Sequence, residues 1–201
     1  NSNTLRNCWI HNSASVGVSA QNLTGTIIEN NLIEYNGQNP QFHHGIYADG
    51  AALTIRNNIV RHNAALGMQL YPALKSSKVY NNLVHGHFKT GILVQCAPEG
   101  GHNQIFNNTS VENRTALGIY HGTDEIVANN ILTAPSGDPS FVDGTVVSDY
   151  NLCMPPSKFM GMNGFSAEPD FVDATHKCYW LQAMSPAIGK GTTLYAPPMD
   201  L

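Results

Sequence analysis

Three side chains in this sequence could carry a proton during a reaction: His44, directly before Gly45; Lys89, two residues before Gly91; and His121, in the stretch YHGTDE. Imidazoles and amines of lowered pKa are general bases that work near neutral pH. Three carboxylates, Asp49, Asp124 and Glu125, offer the oxygen ligands that Ca²⁺ takes, although no Asp-rich loop of calcium-binding spacing accompanies them. Tyr47, Gln69, Tyr71, Gln95 and Tyr120 add flat aromatic surface and amide hydrogen-bonding groups, which together suit a sugar ring with its axial hydrogens and hydroxyls. Base, cation and stacking platform act together only if the fold brings them onto one surface.

The elements that carry them belong to an internal repeat. LRNCWIHN (5–12), IENNLIEYN (28–36), IRNNIVRHN (55–63), VYNNLVHGH (79–87), IFNNTSVEN (105–113) and VANNIL (127–132) share an asparagine anchor at Asn7, Asn30, Asn57, Asn81, Asn107 and Asn129, spaced 23, 27, 24, 26 and 22 residues apart. A second mark follows in Gly17-Val18, Gly45-Ile46, Gly67-Met68, Gly91-Ile92 and Gly118-Ile119, and the second unit carries an insertion within NGQNPQFHH (36–44). Between the marks β-branched residues alternate with polar ones at period two, so each unit reads as two or three short strands. Such a unit cannot bury a face alone and must stack on its neighbours. A leucine-rich repeat would need regular leucines with a helical or convex segment, and a propeller blade a longer period. A parallel β-solenoid remains, and its crossovers should be right-handed.

Composition agrees with one domain and narrows the partners. The 201 residues, 42% hydrophobic and 12% charged, suffice for a single sizeable core. A net charge of −4 without a basic stripe argues against nucleic acid, and no apolar run approaches a membrane span. The chain starts without Met, in a polar stretch with no signal peptide, as a processed fragment lacking upstream coils would. An open first coil would then be a site of self-association. Cys8 and Cys96 read as small buried thiols, whereas Cys153 and Cys178 are either a disulfide or two free thiols.

The unit I-x-N-N-x-[IV] followed by G-[IV]-x-[LVA] resembles the repeat of right-handed parallel β-helix proteins of the pectate-lyase-like superfamily, over about residues 5 to 152. The tail, DYNLC (149–153), EPDFVD (168–173) and YWLQAMSPAIGKG (179–191), looks like the end of many extracellular bacterial β-helix proteins. Those commonly read DYNLY, DPxFVD and SPAIDAG, so Cys153 and Gly189-Lys190 are departures. The resemblance implies a secreted all-β protein, a right-handed parallel β-helix of about six to seven coils over residues 1–152, with a loop-rich segment, residues 153–201, packing on or capping it. It also implies a polysaccharide partner lying along the Gly-led strands. It does not imply one function, because the same coil carries lyases, hydrolases, epimerases, adhesins and tailspikes.

Physical reading then assigns the positions. Asparagines repeating at one strand spacing can hydrogen-bond into a ladder, which makes them tolerable in a core. The anchor asparagine is expected to be the inward rung and its neighbour (Asn31, Asn58, Asn82, Asn108, Asn130) the left-handed corner, with Cys8 at the corner of the first unit. Arg6, Glu29, Arg56, Tyr80 and Phe106, and beyond the corner His11, Glu34, Arg61, His85 and Val111, should form outward, solvated columns. On the Gly-led strands, Val18, Ile46, Met68 and Ile92 should point inward. Ser19, Tyr47, Gln69, Leu93 and Tyr120 form one outward column, and Gln21, Asp49, Tyr71, Gln95 and Gly122 the next. A lyase would need a base, from His44, Lys89 or His121, and a cation for the uronate carboxylate. Hydrolysis needs paired carboxylates and finds only Asp49 on this face. The competing class is a non-catalytic solenoid, an adhesin or spike, or a fragment of a larger enzyme.

Overall fold

The computed structural model describes residues 2–96, 99–135 and 140–196. About six coils wind into a solenoid with three strand faces. The first face stacks Thr4–Arg6, Ile27–Glu29, Thr54–Arg56, Lys78–Tyr80 and Gln104–Phe106, and continues through the last residues of Thr115–Ala128 to those of Ser140–Asp149. The second stacks Trp9–His11, Leu32–Glu34, Ile59–Arg61, Leu83–His85, Thr109–Val111, Ile131–Thr133 and Leu152–Met154. The third stacks the Gly-led strands Val18–Thr24, Ile46–Ala51, Met68–Lys75 and Thr90–Gln95, then the starts of Thr115–Ala128 and Ser140–Asp149. Every neighbouring pair within these faces is parallel, so each strand buries its inward side chains against the same position one coil away. The core is the resulting column of Ile28, Ile55, Val79, Ile105 and Val127 from the first face, Ile33, Val60 and Val84 from the second, and Ile46, Met68, Ile92 and Leu117 from the third. Among the described residues no helix is long and apolar enough to cross a membrane.

Each corner is a residue of positive φ followed by an inward polar side chain, and this reverses the expected roles within the asparagine pair. Asn7, Asn30, Asn57, Asn81, Asn107 and Asn129 all have φ between 52° and 58°, the left-handed conformation that asparagine tolerates better than most residues. The second asparagine is the rung. Asn31 Nδ2 donates to Asn58 Oδ1, Asn58 to Asn82 and Asn82 to Asn108, each at 3.0 Å, and Asn108 continues to Asn130 and Asn151. Each Oδ1 also accepts the preceding rung's backbone N–H, as Asn58 Oδ1 does from Asn31 at 3.1 Å. The reason is phase: the left-handed residue takes the bend, and the residue after it points inward. Cys8 accordingly sits at the rung position, its backbone N–H donating to Asn31 Oδ1.

The second corner carries its own ladder, five residues further on. Asn36 Nδ2 donates to Asn63 Oδ1 at 3.0 Å, Asn63 Nδ2 meets His87 Nε2 at 3.3 Å, and His87 Nδ1 meets Asn113 Oδ1 at 3.0 Å. His87 is thus an imidazole rung with its Nδ1 protonated, accepting at Nε2, and not a loop residue beside the third face. Burial lowers its pKa to about 3, so it stays neutral. At the third corner Ser77, Asn103 and Glu125 repeat the scheme: Ser77 N–H donates to Asn103 Oδ1 at 2.9 Å and Asn103 N–H to Glu125 Oε2 at 3.2 Å.

The C-terminal segment both plugs and straps the solenoid. Phe159, 1% exposed, closes the end of the core, its carbonyl accepting from Asn151 Nδ2. The chain then runs back over the second face, where Phe171–Asp173 and Cys178–Leu181 form an antiparallel hairpin. Tyr179 packs on His85, with ring centroids 4.9 Å apart, so His85 is buried and not solvated as its column position suggests. Lys177 pairs with Glu112 at 2.6 Å. Among the described residues no disulfide joins Cys153 to Cys178: Cys153 lies in the core and Cys178 in the outer hairpin, with the second face between them. Residues 197–201 lie outside the described residues.

Candidate functional site

The third face carries most of the expected groups, and its inward residues are those expected: Val18, Ala20, Ile46, Ala48, Met68, Leu70, Ile92 and Val94 are all buried. Outward, Ser19, Tyr47, Gln69 and Leu93 lie side by side in register. The Tyr47 and Tyr71 rings stand 6.4 Å apart at 26°, nearly parallel and half-buried. Asp49, 5% exposed, accepts the Asn22 N–H at 2.8 Å through one oxygen. Burial, with Tyr71 and Asp49 nearby, raises the Tyr47 pKa, so its phenol remains a donor.

His44 stands behind this platform, its ring 5.9 Å from that of Tyr47. Burial first, then the Lys89 ammonium and His43, lower its pKa to about 4. Its Nδ1 faces the Leu66 N–H at 3.3 Å, so the neutral ring carries its proton on Nε2. His44 is therefore a buried, neutral ring behind this surface, and its lone pair is already engaged. Lys89, half-buried on the same side, is the remaining basic group near the platform.

Beyond the fourth coil the face changes character, because the last Gly mark is displaced. Gly118 does not lead its strand. Leu117 pairs with Ile92 and Gly118 with Leu93, so Tyr120 stands beside Gln95 and not beside Leu93. The place of Gly91 is taken by Ala116, and the outward spot at Gly118 is filled by the Phe141 ring, 2.1 Å from where a Cβ would sit. Phe141 packs there against Leu93, Leu66 and Ala65 and meets the Tyr120 ring at a tilt of 41°, with centroids 4.6 Å apart. Gly118→Ala is expected to lift this ring and cost about 1–2 kcal/mol, read from the urea midpoint.

Residues 1–109 match the family model described as right handed beta helix region. The chain belongs to the right-handed β-helix family. No curated protein and no solved structure matches it.

The expected metal ligands are dispersed over the β-helix. Ile46–Ala51, which holds Asp49, is three strand steps from Thr115–Ala128, which holds Asp124, roughly 14 Å at about 4.8 Å per step. Asp124 is exposed at a corner, 3.8 Å from His102. Glu125 points into the core, fully buried: Oε1 accepts from Cys96 Sγ at 3.3 Å, and burial pushes its carboxyl pKa up. Among the described residues no three His, Cys, Asp or Glu side chains are placed to hold a metal ion. His121 is likewise remote from His44 and Lys89; it is exposed and pairs with Asp143 at 3.2 Å. The β-helix thus brings together His44, Tyr47, Asp49, Gln69, Tyr71 and Lys89, with Gln95 and Tyr120 adjoining, and leaves out His121, Asp124 and Glu125. The displaced register at Gly118 was visible as an irregular 11-residue offset after Asn107, but the Phe141 cover had no repeat signal.

Proposed function

We propose that this β-helix binds a glycan chain along the outer surface of its third face. The observation that supports this is the Tyr47–Tyr71 pair, nearly parallel rings with the Gln69 amide and the Asp49 carboxylate beside them. Rings present apolar area to the C–H faces of a sugar while amide and carboxylate reach its hydroxyls. Tyr47, Tyr71 and the Gln69 amide are uncharged, so the site does not depend on an anionic sugar. Secretion and a polysaccharide partner follow from the pectate-lyase-like resemblance and belong to the same proposal.

Isothermal titration of an oligosaccharide panel tests it. Tyr71→Ala is expected to weaken the best ligand about tenfold, or ~1.4 kcal/mol, with the circular dichroism unchanged. Binding by no member of the panel, or equal binding by Tyr71→Ala, overturns the proposal. With its carboxylates dispersed, the β-helix should keep that affinity after EDTA treatment.

Elimination is the second reading, and Lys89 beside the platform favours it over hydrolysis, which lacks a second carboxylate. Uronate polymers would then yield an unsaturated product absorbing in the ultraviolet, and Lys89→Ala would abolish it. Binding without such absorbance leaves the β-helix a glycan-binding module.

A further inference from the structure

The outer side of the second face has a chemistry of its own. Its first outward column runs Leu32, Ile59, Leu83, Thr109, Ile131 and Leu152, aliphatic at nearly every step, where the outer column of the first face carries Glu29, Arg56 and Tyr80. Across a cleft of about 940 Å³ lie Trp180, Leu181, Ala187 and Ile188 of the C-terminal strap. The strap is fixed on both sides of the cleft. At one side Tyr179 packs on His85 and Phe171. At the other the Asn129 amide clasps the Thr192 backbone, donating to its carbonyl and accepting its N–H, both at 2.8 Å. Between these anchors the strap stands off the column: Trp180 is 79% exposed, Ile188 51% and Ile59 36%. A strap that served only to cover the column would close onto it at the density of an interior. An apolar surface held open by fixed walls is a binding site in form.

Length and charge select the occupant. From Ile59 to Leu152 the column crosses four strand steps, roughly 19 Å at about 4.8 Å each, narrow and continuous. Among the described residues Lys190 is the one charged residue lining the cleft, and it makes no ion pair with any of them. We propose that the cleft takes a single long-chain fatty acyl carboxylate, its alkyl chain along the column from Ile59 to Leu152 and its carboxylate at Lys190. Trp180 covers the chain, and Asn129 keeps the cleft open by holding Thr192. This site lies on a different face from the glycan platform and stands independently of it.

Fluorescence tests the assignment, because Trp9→Phe leaves Trp180 as the sole tryptophan. Titration of that protein with sodium palmitate below its aggregation concentration is expected to give a saturable one-to-one blue shift. Hexanoate, too short to span the column, should not saturate. Lys190→Glu should weaken palmitate about tenfold, since it turns an attraction into a repulsion. Ile131→Glu, checked for unchanged circular dichroism, should abolish the shift. The proposal is overturned by the lack of a saturable shift, or by Lys190→Glu binding palmitate as well as the parent. A blue shift that follows protein concentration without palmitate, with a dimer in sedimentation, would instead assign the cleft to a second copy of the chain.

Discussion

Asn58→Leu is expected to destabilise the protein by about 4–5 kcal/mol, seen as a lower urea midpoint with an unchanged slope. Leucine repeats the branching of asparagine at Cγ with methyls in place of the amide oxygen and nitrogen, so the main loss is one of partners. Asn58 Oδ1 accepts both the backbone N–H and Nδ2 of Asn31, at 3.1 and 3.0 Å, while its Nδ2 donates to Ile28 O at 2.9 Å and to Asn82 Oδ1 at 3.0 Å. Removing the amide strands two donors of Asn31 and the Ile28 carbonyl in a dry interior, and each buried group left unpaired costs about 1–3 kcal/mol. Its neighbour behaves oppositely. Asn57 has φ 56° and takes no part in the ladder, its Oδ1 being buried without a hydrogen-bond partner, so Asn57→Gly keeps the corner and should cost under about 1 kcal/mol. Two adjacent asparagines that look alike thus differ several-fold in their effect on stability. Equal losses at the two positions would contradict the assignment of rung and corner.

That contrast marks where sequence legibility ends. The repeat of Asn-Asn and Gly-Ile at a unit length of 22 to 27 residues is enough to read coils, strands and the inward residues of the third face, because period-two alternation needs only counting. It cannot say which of two adjacent asparagines bends the chain, since a left-handed residue resets the alternation and either choice satisfies the spacing. The second ladder was readable in principle: Asn36, Asn63 and Asn113 each follow a rung by five residues, and His87 fills the same place. Its one imidazole interrupted the pattern. The platform around Tyr47 and Tyr71 was legible because strand register carries it, whereas the partners of Asp124 and Glu125 depended on a corner whose phase was unknown. Least legible was the strap. Residues 155–196 have no period, so nothing in them announced that Tyr179 would bury His85 or that Trp180 would line a cleft over the second face.

Those buried imidazoles make acid the condition to which this fold should be most sensitive. His44, His85 and His87 are 3%, 1% and 3% exposed, and their pKa values are lowered to about 4, 3 and 3, in each case by burial before any charge. In the unfolded chain a histidine takes its proton near pH 6.5. Between there and about pH 4 the unfolded state therefore holds up to three protons that the native state refuses, and stability falls as pH falls. Glu125 works the other way, because burial raises its native pKa and favours the native state as its carboxyl becomes protonated. With three imidazole protons favouring unfolding, each worth about 1.4 kcal/mol per pH unit, the histidines alone give a slope approaching roughly 4 kcal/mol between pH 6 and 5, which Glu125 reduces. Hydrogen bonds from Arg61 and Trp9 to Glu34, and from Asn163 to Asp149, hold these carboxyls below their ordinary range, so their loss adds only at lower pH. Urea unfolding at pH 7, 6 and 5 measures this slope directly. His87→Asn restores an amide rung between Asn63 and Asn113 while removing one titrating group, so it should keep the stability at pH 7 and flatten the slope by about one proton. A slope unchanged by His87→Asn would mean that the imidazole is charged in the native core, and a charged ring cannot accept from Asn63 at Nε2 as the ladder requires.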